Sequence, residues 1–229
     1  MAPAEIIVVC VGLLLLAACL TGLFVRRRHR LCVSFTLYLA AVLLSDGLVL
    51  ISPERFRSWD FWVLKESIHN LLKFAIALEL TVRTFRSFPG ARKTVTGLVL
   101  GVLVLTWFSV GPRPRLAAGT TEDLALNLQP YVLAGTVWLF MAISTLILWY
   151  RLPVNALHKA LLLGFVPYLL IFTVAINLRR SYGAEARVLA GYVKNVAYQV
   201  LLAYWVYAAW RRGPWKGVRR GADSPPPSA

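Results

Sequence analysis

The chain has 229 residues, of which 59% are hydrophobic and only 15% charged, a balance far from that of a soluble domain. Its 25 lysines and arginines against 10 acidic residues give a net charge of +15, but the basic residues stand in short clusters between long apolar runs, which argues against a nucleic-acid-binding face and for orientation in a bilayer. Cys10, Cys19 and Cys32 all fall in or beside the first two runs with no paired metal spacing, so neither a disulfide framework nor a metal site is expected.

The first apolar run, residues 6–25, is long enough to cross a hydrocarbon layer of about 30 Å. Met1 to Glu5 holds none of the Lys or Arg that a secretory signal would carry. Leu16-Ala17-Ala18-Cys19 looks like a lipoprotein cleavage box, yet the basic run at 26–30 lies on the wrong side of it, so the run reads as a permanent helix. A second span covers 31–52 and stops at Pro53. The third, 61–85, belongs to a helical stretch from Trp59 to Pro89 that ends in a Glu79/Arg83 i,i+4 pair, read as an ordinary boundary ion pair, and a Pro89-Gly90 turn. Residues 94–110 give the shortest span, and in the long loop after it Thr120-Thr121-Glu122-Asp123-Leu124 can start a short surface helix. The fifth span is 130–150. The sixth, 158–178, carries Pro167 near its middle, where the lost backbone bond predicts a kink and a hinge. The seventh is 186–210, and the basic, Pro-ending tail 213–229 is expected to be disordered.

The expected fold is therefore an all-α integral membrane protein, a single seven-transmembrane-helix bundle over 1–212. With the N-terminus outside and the C-terminus cytoplasmic, 15 Lys or Arg residues fall on the inner side and 7 on the outer, the bias that the positive-inside rule requires. Richness in Ala, Arg and Leu suggests a bacterial-type inner (plasma) membrane, crossed many times.

The third span is the exception in its polarity, with Lys65, Glu66, His69, Asn70, Lys73 and Glu79 inside it. A charge at mid-bilayer costs about 2.5 to 3.5 kcal/mol on insertion scales, so these groups must face protein or water. Glu66, His69, Asn70 and Lys73 recur at spacings of three and four and share one face, while Lys65 is slightly off it and is expected to snorkel outward. At 1.5 Å per residue, Asp46 lies about 9 Å below the outer boundary, His69 about 12 Å, Lys73 and Tyr198 about 18 Å, and Lys194 and Asn195 about 12 to 14 Å. Three helices thus bring polar groups to the same outer half. Asp46 and Lys194 have the depth and sign to partner Lys73 and Glu66. Three lysines against two carboxylates leave the group at +1, which suits an anionic or carboxylate-bearing small molecule. A structural network that fixes helix register would use the same residues.

Other chemistry finds little support. His29, His69 and His158 lie in different elements, no Ser stands in a G-x-S-x-G turn, and no Gly-rich phosphate loop is present. Lys194 alone would match the retinal lysine of rhodopsins, so no cofactor is expected. The functional expectation is a receptor-like sensory module with a ligand site of Asp46, Glu66, His69, Asn70, Lys73, Lys194, Asn195 and Tyr198, a Pro167 hinge, and basic inner loops for anionic lipids or a cytosolic protein partner. A small transporter is the alternative, weakened by the lack of an internal repeat. A membrane enzyme using Glu66 and His69 as acid and base comes third, without a recognisable nucleophile.

Overall fold

The computed structural model describes residues 3–56, 58–85, 97, 101, 121–149 and 155–211. Helices α1 (Pro3–Val25), α2 (Val33–Ile51), α3 (Pro53–Phe56), α4 (Trp59–Phe85), α5 (Thr121–Trp149) and α6 (Ala156–Trp210) make up nearly all of it, with a single 3-10 turn, Arg28–Leu31, between α1 and α2. The predicted fourth span, 94–110, lies outside the described residues except at 97 and 101, and so does the tail 213–229.

Ile6–Val25, Val33–Ile51 and Ala156–Ala175 are long and apolar enough to cross a membrane, and Gly135–Trp149 is a shorter apolar helix. The packing agrees with that reading. Helix α1 packs on α2, α2 on α4, α4 on α5, α5 on α6 and α6 back on α1, which closes a ring. Large apolar side chains point away from it on every long helix, among them Leu14, Leu44, Leu71, Leu148, Val174 and Val196. A soluble monomer rarely exposes such a girdle, whereas lipid would cover it. The described residues, nearly all helical, fit a membrane protein.

Helix α6 spans 55 residues and would be about 82 Å long if straight. It is not straight. The rings of Phe165 and Trp205 lie 4.6 Å apart and those of Tyr168 and Tyr198 5.8 Å apart, so the element folds back on itself between them. We call residues 156–178 and 186–210 its first and second arms. The sequence predicted two spans joined by a loop. The arms are antiparallel as expected, but the backbone between them stays helical, because no proline interrupts 179–185 and hydrogen bonding runs on. Likewise α5 begins at Thr121, merging the expected surface helix and the fifth span into one element that carries Pro130 inside it.

Phe165 is the hub of the core. Its ring meets Phe35, Tyr38, Phe140 and Trp205 at centroid distances of 6.3, 5.9, 5.1 and 4.6 Å, which ties α2, α5 and both arms of α6 together. The arms approach this closely because residue 164 is glycine: a Cβ there would lie 2.7 Å from Trp205 Nε1 and 2.7 Å from Leu201 Cδ1. We therefore expect Gly164→Ala to lower stability by about 1 to 3 kcal/mol through overpacking. Gly47→Ala is the matched control, since a Cβ at Gly47 meets nothing within 4 Å. Unfolding in detergent measures both, and equal effects at the two glycines would show that the arms do not depend on this contact. Pro167, two residues beyond Phe165, sits inside the first arm and is exposed.

Candidate functional site

Helix α4 divides into two faces. Leu64, Ile68, Leu71 and Val82 are exposed, whereas His69, Lys73, Ile76, Ala77 and Leu80 are buried against the ring interior. Residues within each set recur at helical spacings, so one side of α4 faces the ring and the other faces outward. The inward face is polar toward Trp59 and apolar toward Phe85, so polar groups collect at one end of the bundle.

At that end Lys65 Nζ donates to Asp46 Oδ1 at 2.7 Å, with both side chains largely covered. This corrects two expectations at once: Lys65 does not snorkel outward, and Asp46 is taken by Lys65 rather than by Lys73 or Lys194. The reach of a lysine stem lets it turn back across the α2–α4 interface, which a face assignment at the Cα cannot register. One residue before Asp46, Ser45 Oγ lies 3.3 Å from His69 Nε2, and the ring of Tyr38 stands edge-on to His69 at 6.0 Å.

Deeper on α4, Lys73 Nζ donates to Asn70 Oδ1 at 3.2 Å and lies 6.0 Å from the centroid of Phe172. Lys194, from the second arm, approaches the same ring at 5.7 Å. Two ammonium groups from different helices thus share one aromatic ring, each at cation–π range of about 6 Å. Lys73 is within electrostatic reach of both Glu66 and Lys194, and Glu66 in turn reaches Tyr38 and Tyr168. Lys73 is buried and Lys194 exposed, so the group runs from the bundle surface at Lys194, past Phe172, to the interior. Tyr198 continues it inward against Tyr168, and its hydroxyl is buried with no hydrogen-bond partner among the described residues. Asn195 is exposed beside Lys194, at the edge of the group. The Phe35, Phe140, Phe165 and Trp205 rings pack together beside it, and Tyr38 touches both Phe165 and His69.

Ser45 Oγ lies 3.1 Å from Val42 O and 3.3 Å from His69 Nε2, and the imidazole tautomer decides which of Ser45 and His69 donates to the other. No group of three His, Cys, Asp or Glu suited to a metal occurs among the described residues.

A second polar set, not foreseen from the sequence apart from one ion pair, lies at the arginine-rich end. The predicted Glu79–Arg83 pair is present at 2.7 Å. Glu79 also accepts from Val33 N at 3.0 Å and Ser34 N at 2.8 Å, capping α2 from a neighbouring helix, and the Cys32 thiol donates to it at 3.5 Å. Arg28 donates to Ala208 O at 2.7 Å and Arg211 O at 2.9 Å, the free carbonyls where α6 ends. His158 Nε2–H donates to Leu31 O at 2.9 Å. A signal for the first of these did exist: Cys32 at the N-cap offers no side-chain cap, so the first N–H groups of α2 needed an acceptor from elsewhere.

Comparison with protein families, with curated proteins and with solved structures finds no match for this chain.

Proposed function

We propose that the protein is a receptor-like sensory module of a bacterial-type inner membrane, a seven-helix bundle with its N-terminus outside, whose polar group takes a small carboxylate-bearing ligand. The observation that carries this reading is the convergence of Lys73 and Lys194 on Phe172. With Asp46 committed to Lys65, the group sets Lys73 and Lys194 against Glu66, a balance of +1 that favours an anion. The donors present support the same ligand class, since ammonium groups and a buried tyrosine hydroxyl all seek acceptor oxygens. On this reading the exposed Arg26, Arg27 and Arg30 face the cytoplasm, where they meet anionic lipid or a cytosolic partner.

The test is a panel of small carboxylates, inorganic phosphate and quaternary ammonium ions against the purified protein in detergent, read by thermal unfolding. A carboxylate at 100 times its Kd should stabilise the fold by about 2.7 kcal/mol. Lys194→Met, at an exposed position, should leave the unliganded protein as stable as before and weaken carboxylate binding at least tenfold. Stabilisation by the ammonium ions instead, or carboxylate binding indifferent to Lys194→Met, would overturn the reading.

A further inference from the structure

Residues 28–34, the turn between α1 and α2, are held by three elements at once. Arg28 grips the end of the second arm of α6 through Ala208 O and Arg211 O. Leu31 O is held by His158 in the opening turn of the first arm. The amides of Val33 and Ser34 are held by Glu79 of α4. These are also the three elements that bring Lys194, Phe172 and Lys73 together at the far end of the bundle. The Arg28 and Glu79 links are charge-assisted, the His158 link is part-buried, and all of them run to backbone, which fixes the main chain of the turn rather than a mobile side chain. Arg27, at the head of the turn, is held at φ 54, the left-handed region that a residue with a Cβ seldom adopts, so the segment stays in a conformation it would not choose alone.

We propose that residues 28–34 form a clamp that reads the spacing of α4 and the two arms of α6, so that drawing Lys73 and Lys194 together at one end changes how the turn is held at the other. A helix is stiff over the 14 residues from Lys194 to Ala208 and the 6 from Lys73 to Glu79, so tilting an arm at the site shifts its grip on the turn. The coupling rests on the site proposed above, whereas the clamp itself is tested without a ligand.

The reporter is Cys32, buried at 1% exposure and adjoining both Leu31 and Val33. In the full-length chain carrying Cys10→Ala and Cys19→Ala, the labelling rate of Cys32 by a polar maleimide is measured in detergent. Arg28→Met does not touch Cys32 directly, and labelling should become at least fivefold faster. Arg28→Lys keeps the charge but not the two-pronged grip and should fall between. The double variant Lys73→Met/Lys194→Met should change the rate at least twofold from the opposite end. An unchanged rate in both Arg28 variants overturns the clamp. Faster labelling in those, with the lysine pair silent, overturns the coupling. Failure of the carboxylate panel while both sets of variants shift the rate sinks the ligand reading and leaves the clamp standing.

Discussion

Glu79→Ala is expected to destabilise the bundle by about 2 to 4 kcal/mol, although Glu79 sits at the end of α4 in what looks like an ordinary surface ion pair. The reason lies in what else the carboxylate holds. Two charge-assisted bonds to backbone amides are worth about 1.5 to 3 kcal/mol each where no water replaces them, and the exposed position of Val33 lets water recover part of one. A negative charge at the start of α2 also complements the helix dipole. The ion pair adds little, since the Arg83 side chain is 38% exposed. Arg83→Ala should therefore cost less than about 1 kcal/mol. Glu79→Gln, which keeps one acceptor oxygen, should fall between. Unfolding by denaturing detergent measures all three, and equal losses for Glu79→Ala and Arg83→Ala would show that the cap contributes nothing beyond the pair.

That residue also shows how far the sequence could be read. Apolar runs located α1, α2 and the apolar first part of α6, Ala156–Ala175, to within a few residues, because a backbone in lipid has to satisfy itself and the run length then sets the helix length. The spacing of His69 and Lys73 placed them on the inward face of α4, since helical periodicity is local. The choice of partner is not local. Asp46 could be matched by depth to several lysines, and only the approach of α2 to α4 selects Lys65. The helical reversal in α6 was hidden for a different reason, as polar residues at 179–185 read as a loop while their backbone keeps its hydrogen bonds. Arg28 and His158 looked like orientation charge and a lone imidazole. Their roles depend on which helix ends lie within reach, a property of the assembled ring.

The largest contrast is expected between two lysines eight residues apart on α4. Lys65→Met removes one partner of a 2.7 Å ion pair whose side chains are 22% and 29% exposed, and leaves Asp46 without its counter-charge at the edge of the apolar layer. Breaking a fully buried pair costs about 3 to 5 kcal/mol; with this partial exposure about 2 kcal/mol is expected. Lys73→Met should behave otherwise, although Lys73 is the more deeply buried of the two, at 6% exposure. Its hydrogen bond goes to the neutral Asn70, and methionine keeps the apolar stem against Phe172 while removing both the desolvation of an ammonium group and its repulsion from Lys194. The loss of attraction to Glu66 works against these gains, so the net change should stay within about 1 kcal/mol. Carboxylate binding should instead fall at least tenfold, since one of the two converging cations is gone. Thermal unfolding of both variants in detergent, with and without the carboxylate panel, separates a lysine kept for structure from one kept for a ligand. A Lys73→Met protein as unstable as Lys65→Met would make Lys73 part of a structural network and remove it from the site.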